Sequence, residues 1–346
     1  MRIGVLTGGG DAPGLNAAIR AVVLRASALG HEVLGITDGW AGLLGEHAPS
    51  PLTPRHVAGI LGEGGTMLGT SRTDPRKDEA SRRAVIESVR RNDIDALVAI
   101  GGNDTLSVAD WLHQQSVKVV GVPKTVDNDL AETEFCIGFD TAVSVLSEAL
   151  DRLRTTASAH HRVVVVEAMG RDTGWVAAFG GLAGGADLIL VPEISVTIGD
   201  VIRTMKRRRE SGVPDILVVI SEAAEIDGLE AQTAIDRDAF GHVRLDQRAI
   251  GAVLARHIEQ RTGIEARQVV LGHLQRGGSP TSIDRLRATR FGNAAVDLVE
   301  SGRSGVLPVQ RAGHIEVAAI ADAVREIRRL SDEYIELVRR FAGVLD

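Results

Sequence analysis

Apolar runs of five or six residues recur along the chain, separated by stretches whose apolar positions fall three and four apart. Residues 2–6 read as a strand and 15–29 as a helix, followed by a strand over 32–36. Residues 38–71 are glycine-rich and show no clear period. Residues 78–91 predict a charged amphipathic helix, 96–100 a strand, 106–115 a helix and 117–122 a buried strand. That last strand should stop at Pro123, which has no N–H for a ladder. A second series has a helix over 141–156, a strand over 163–166, a helix over 172–182 and strands over 187–191 and 216–220. A basic helix over 201–209 joins those two strands, and 223–245 lacks periodicity and reads as an insertion. Residues 248–261 are helical and 268–271 a strand; 284–300 are helical, and a final helix pair is expected over 320–341. This alternation predicts an α/β fold with mostly parallel, doubly wound sheets. Ligands on such sheets bind beyond the carboxyl ends of the strands.

Composition narrows the class. The 346 residues are 44% hydrophobic but only 3% aromatic, so the core must be aliphatic, as buried parallel strands require. The length suits two domains. A net charge of −7 without a long basic tract argues against nucleic acid as a partner. No apolar run reaches membrane-spanning length, and no signal peptide precedes the first strand, so a cytoplasmic protein without a membrane partner is expected. Cys136 is the only cysteine, which excludes an internal disulfide.

The chemistry concentrates in Gly121-Val-Pro-Lys-Thr-Val-Asp-Asn-Asp129. In an extended loop, Thr125, Asp127 and Asp129 would share one side, with Lys124 and Asn128 on the other. Two carboxylates beyond a buried strand suit a cation plus a proton acceptor; a turn in which Asp and Asn bond their own backbone is the other reading. Gly8-Gly-Gly-Asp-Ala-Pro-Gly14 lies between a strand and a helix, where glycine amides could approach a phosphate or simply make a tight turn. It is not a Walker A loop, because Leu15 stands where the lysine belongs, nor a dinucleotide fingerprint, because Pro13 replaces the third glycine. Gly101-Gly-Asn-Asp-Thr105 repeats the arrangement, with Asn103 or Asp104 as a candidate helix cap. Arg72, Arg162, Arg171, Arg267 and Arg276 lie in or beside glycine turns or strand ends, and arginine presents a planar fork to phosphate.

Taken together, these segments resemble the phosphofructokinase family. The residues that carry the resemblance are the glycine turn of residues 4–18, Ile100-Gly-Gly-Asn-Asp-Thr105, Pro123-Lys-Thr-Val-Asp-Asn-Asp129, Met169-Gly-Arg171 and Leu271-Gly-His-Leu-Gln-Arg-Gly-Gly278, in family order. The resemblance implies two Rossmann-like domains with the active site in the cleft between them. One, for the phosphoryl donor, would take residues 1–138 and 275–325; the other, for the sugar phosphate, 139–274 and 326–346. Asp127 would be the base for the C1 hydroxyl of fructose 6-phosphate, and Thr125 would position the transferred group. Arg72 and Arg171 would stabilise the transition state. Met169, Gly170, Glu222, His273 and Arg276 would hold the sugar phosphate together with Thr125, Asp127, Asp129 and Arg171. Arg162 and Arg267 would reach in from a neighbouring subunit of a homodimer or homotetramer. Gly9, Gly10, Gly102, Asn103, Asp104 and Lys124 would bind the donor, and Asn103 and Asp129 would place Mg²⁺.

The chain departs from the family's usual pattern in three places. An acid is usual where Asn103 stands, and the ATP-using members usually have glycine at the Asp104 and Lys124 positions. Members using pyrophosphate typically carry Asp and Lys there, so the resemblance favours pyrophosphate as donor. ATP as donor, sedoheptulose 7-phosphate as acceptor, and a non-catalytic sugar-phosphate sensor are the alternatives.

Overall fold

Aliphatic runs with no charge between their ends become strands buried on both faces, and the turns that follow them collect the polar residues. The computed structural model describes residues 1–45, 48–213, 215–230, 240 and 248–344. In chain order the elements are β1 (Arg2–Thr7), α1 (Leu15–Ala28), β2 (Glu32–Ile36), α2 (Ala41–Leu44), β3 (Ser50–Leu52), α3 (Glu79–Arg91), β4 (Ala96–Gly101), α4 (Asn103–Gln114) and β5 (Val119–Pro123). Then come α5 (Phe139–His160), β6 (Val163–Ala168), α6 (Trp175–Ala183), β7 (Leu188–Leu190), β8 (Val196–Thr197), α7 (Ile198–Glu210), β9 (Ile216–Ser221), β10 (Ile226–Asp227), α8 (Ile250–Thr262) and β11 (Ala266–Val270). The chain closes with α9 (Ser282–Glu300), β12 (Val306–Arg311), β13 (His314–Ala319), α10 (Ile320–Ala323) and α11 (Asp332–Ala342). Among the described residues, no helix is long and apolar enough to cross a membrane.

The chain forms two units. Unit 1 comprises Met1–Thr141 and Arg276–Ile327, and unit 2 comprises Ala142–Gln275 and Arg328–Asp346. Unit 1 contains a seven-stranded sheet in the order β13-β12-β5-β4-β1-β2-β3. Its centre is parallel, and β3 and β13 add antiparallel edges. All six residues of β4 are buried, and the core beside it is built from Val, Ile, Leu and Ala of β1, β4, β5, α1 and α9. Unit 2 contains a parallel four-stranded sheet in the order β11-β6-β9-β7. Strands β6 and β9 are buried throughout.

The elements differ from expectation where tertiary pairing overrides local pattern. The C-terminal helix pair is two short helices, α10 and α11, and the β12–β13 hairpin precedes them. Its turn residues, Ala312 and Gly313, both have positive φ, as a two-residue hairpin loop requires. Pro308 inside β12 hides the strand from sequence, since proline argues against a ladder. Residues 103–105, expected to be turn, are the first turn of α4. Helix α6 starts at Trp175 rather than near residue 172. Within the expected insertion over 223–245, Ile226–Asp227 pairs with β8, while 231–239 and 241–245 lie outside the described residues.

A buried ionic network ties α9 to the start of α5 within unit 1. Asp284, fully buried, accepts from the Gly138 amide at 3.1 Å, the Thr141 amide at 2.8 Å and the Thr141 hydroxyl at 2.7 Å. Its other partner is the Arg287 guanidinium at 2.9 Å. Asp284→Ala would leave the buried Arg287 cation without its counter-charge and two buried amides unsatisfied, at a cost of about 3–5 kcal/mol. Denaturant unfolding should show that loss as a lowered midpoint, with a smaller loss for Asp284→Asn; a shift below about 1 kcal/mol would contradict the role assigned to this network.

Candidate active site

Three turns meet at one edge of unit 1 because the strands before them end level. Strand β4 lies between β1 and β5, with Thr7 opposite Ile100 and Gly101 opposite Pro123. The parallel register therefore sets both glycine turns and the acidic loop at adjacent carboxyl ends. The turns are also joined directly: the Gly8 amide donates to the Ile100 carbonyl at 3.0 Å. Thr105, 2% exposed, fits against both turns, and a Cβ at Gly8 or Gly101 would overlap it. Gly9 has φ of +78°, a conformation open to glycine and strained for other residues. Its amide donates to Ser71 O at 3.1 Å and its carbonyl accepts from the Thr70 hydroxyl at 2.7 Å. That places exposed Arg72 next to the first turn.

Neither Asn103 nor Asp104 caps α4. The N-cap is Gly102, which brings no side-chain cap bond. Helix α1 likewise starts at Gly14 without a side-chain cap, whereas Asp78, Thr197 and Thr281 cap α3, α7 and α9. The two helices that follow the glycine turns thus start on glycines with no side-chain cap bond, which suits an anion. Asn103 instead donates its Nδ2 to Asp129 Oδ2 at 2.9 Å. The amide fixes the Asp129 carboxylate and keeps its own oxygen as a donor atom.

Lys124 departs most from an extended loop. Its side chain is 2% exposed, and its ammonium donates to the Gly8 carbonyl at 3.0 Å and to that of Gly10. Burial pushes its pKa down to about 7, with the nearby Arg276 guanidinium adding to the depression and Asp11 and Asp127 opposing it. Arg276 donates to the Asp11 carbonyl at 3.1 Å, so it belongs to the same turn. Beyond Lys124, the Asp127 amide donates to Thr125 Oγ1 at 3.1 Å. Asn128 takes a left-handed φ of 53° and turns inward, donating to Glu134 O at 3.1 Å and accepting from the Cys136 amide at 2.9 Å. Asn128 is therefore the structural residue of the loop. Asp127 and Asp129 are buried, at 8% and 6% exposure. Among the described residues no three His, Cys, Asp or Glu side chains cluster as a metal site.

Unit 2 repeats the principle on its own sheet. Ala168 pairs with Ser221, and Val270 pairs with Glu167, so Met169–Arg171, Glu222 and the residues after β11 sit at neighbouring carboxyl ends. The Gly170 amide donates to Glu222 Oε1 at 3.2 Å, and the Met169 amide donates to Gln275 Oε1 at 2.8 Å. His273 is exposed at this end, and Arg171 is half-buried. Arg162 and Arg267 are elsewhere: Arg162 precedes β6 and Arg267 is the second residue of β11. At about 3.3 Å per residue, Arg162 is roughly 23 Å along β6 from Met169, and the level of Arg267, opposite Val164, is roughly 17 Å from it. Three residues with no role assigned from sequence support this unit. Gln275 is fully buried and also donates to Ala142 O at 3.2 Å. Arg248 donates to the Glu222 carbonyl at 3.3 Å. Glu167 is buried, its carboxyl pushed above the usual range by desolvation, and accepts from the Gly251 amide at 2.9 Å. Gln275 lies inside a quoted motif, but only its burial distinguishes it.

Comparison with known proteins places the chain in a family. The phosphofructokinase family model matches residues 2–299. A pyrophosphate–fructose 6-phosphate 1-phosphotransferase of Amycolatopsis methanolica is 48% identical, over 99% of this chain and 100% of its own. A Streptomyces coelicolor protein named ATP-dependent 6-phosphofructokinase 3 is 45% identical over 96% of this chain and 97% of its own. Among solved structures, a pyrophosphate-dependent phosphofructokinase from Nitrosospira multiformis shares the fold, with a TM-score of 0.85 at 23% identity over 100% of this chain and 89% of that one. The phosphofructokinase of Saccharomyces cerevisiae matches with a TM-score of 0.83 at 29% identity; 94% of this chain is covered, and it spans 45% of the yeast chain. The chain belongs to the phosphofructokinase family.

Proposed function

We propose that this chain transfers a phosphoryl group from pyrophosphate to the C1 hydroxyl of fructose 6-phosphate, giving fructose 1,6-bisphosphate and phosphate. The observation that carries the choice of donor is the buried Lys124 ammonium on the Gly8 and Gly10 carbonyls, with Asp104 supporting it from the first turn of α4. A compact anion at the glycine turn meets a cation there. A nucleotide would bring an α-phosphate to the first turn of α4, where Asp104 adds bulk and negative charge. Two unit charges about 4 Å apart repel by roughly 4 kcal/mol at an effective dielectric near 20, and pyrophosphate has no α-phosphate to meet that penalty. Relatives named for pyrophosphate at 45–48% identity support the reading. The ATP-dependent reading draws support from the relative named for ATP at 45%.

In this reading unit 1 serves the donor, and unit 2 supplies the sugar-phosphate residues other than Arg276, which belongs to unit 1. Asp127 accepts the C1 hydroxyl proton, Thr125 holds the transferred group, and Arg72 and Arg171 neutralise charge as it moves. Mg²⁺ fits the donor set: Asp129 and the Asn103 amide oxygen are hard oxygen donors, and magnesium commonly takes one or two protein carboxylates with substrate phosphates completing its shell. Bound there, it would neutralise charge on the phosphoryl oxygens. Met169, Gly170, Glu222, His273 and Arg276 bind the sugar phosphate. Arg162 and Arg267, at the opposite end of β6, serve a neighbouring subunit's site in a homodimer or homotetramer. The protein acts in the cytoplasm, in glycolysis.

Side-by-side assays with the two donors test this reading. Pyrophosphate should exceed ATP in kcat/KM by about a thousandfold, the equivalent of roughly 4 kcal/mol. The double change Asp104→Gly with Lys124→Gly should narrow that gap; comparable turnover with ATP in the unaltered protein would overturn the donor assignment. Asp127→Asn should lower kcat by about 10²–10⁴-fold with little change in sugar-phosphate affinity. Near-normal turnover in that variant would remove Asp127 from the role of base.

A further inference from the structure

Arg162, just before β6, and Arg267, on the neighbouring parallel strand β11, have one carboxylate between them. Arg162 Nε donates to Glu265 Oε2 at 2.7 Å, and Arg267 NH2 bonds the other oxygen, Oε1. The pairing of β11 with β6 produces this arrangement. Ala266 lies opposite Val163, and the Val163 amide donates to the Glu265 carbonyl at 3.0 Å, so Glu265 is level with Arg162. Arg267 is further held by a bond from NH1 to Ala266 O at 3.2 Å. The hydrogen bond from Arg162 holds the Glu265 carboxyl below the usual carboxylate range, so the bridge is ionised at neutral pH.

We propose that Glu265 is a positioning residue that holds Arg162 and Arg267 side by side for a sugar phosphate; this rests on the reading that those two arginines bind that phosphate. Two guanidiniums side by side repel, and each long side chain loses rotamer freedom when it binds. A carboxylate bonded to both offsets the repulsion and orders the pair in advance. Each guanidinium uses only part of its five-donor fork on Glu265, and the remaining N–H groups face no carboxylate oxygen of that residue. The group recognised is a phosphate monoester dianion, which two parallel forks suit.

The test uses the full chain in steady state, with fructose 6-phosphate varied at saturating pyrophosphate. Arg162→Ala and Arg267→Ala should each raise KM for the sugar phosphate. Glu265→Ala should raise it about tenfold, with kcat held within about twofold, because ordering of two side chains is lost. Glu265→Gln keeps one amide oxygen, retains one arginine, and should fall between, near threefold. In the Arg162→Ala background Glu265→Ala should add little, a coupling that a merely structural residue would not show. The proposal is overturned if Glu265→Ala leaves KM unchanged or lowers it while both arginine variants raise it. It is also overturned if kcat and KM worsen together with a lower unfolding temperature. Arginine variants with unchanged KM would instead overturn the reading of the two arginines, and the role of Glu265 with it.

Discussion

Parallel pairing of β1, β4 and β5 is the constraint on which unit 1 depends. With Thr7 opposite Ile100 and Gly101 opposite Pro123, three strands release their chains at one level. A slip by one residue would move a glycine turn away from its neighbour. Thr105 can pack against both turns, and Lys124 can reach the carbonyls of Gly8 and Gly10, only because that level is shared. In unit 2, the pairing of β6 with β9 and β11 gathers Met169, Gly170 and Glu222 in the same way. At the other end of that sheet it joins Arg162, Glu265 and Arg267.

Lys124 carries an electrostatic cost that packing alone does not explain. The folded chain holds its pKa near 7, against an ordinary 10.5, chiefly by burial and then by Arg276. Between those two values the unfolded chain keeps a proton that the folded chain has released, so this residue makes stability rise with pH across that window. Below pH 7 the ammonium is charged, buried and close to another cation. An anion at the glycine turn shifts the balance, since it adds to the opposite charge that Asp11 and Asp127 supply. Asp284 is different in kind: its four hydrogen-bond donors satisfy it within unit 1, and its place is structural.

The sequence carried the alternation of strands and helices, and with it the positions of the three turns in unit 1. It carried them because each turn follows an uninterrupted aliphatic run. The β12–β13 hairpin was obscured by Pro308, which sits where the ladder tolerates a missing donor. The capping role considered for Asn103 and Asp104 gave way because Gly102 starts the helix and Asp129 takes the Asn103 amide. Asn128 could not be told from its acidic neighbours without its left-handed φ. Gln275 and Glu265 were illegible for another reason: their meaning depends on partners over a hundred positions away, Met169 and Arg162. Local pattern fixes elements; only pairing between distant strands fixes such contacts.

The central claim is that Lys124 is a buried cation poised for an anionic donor. Titration of the lysine side chains by NMR tests it directly, because the chain has only Lys77, Lys118, Lys124 and Lys206 to resolve. Loss of one signal in Lys124→Met assigns the residue. The account predicts that Lys124 titrates near pH 7 in the free protein and at least one unit higher with pyrophosphate bound. A Lys124 signal that titrates near 10.5, or one that pyrophosphate leaves in place, would contradict it.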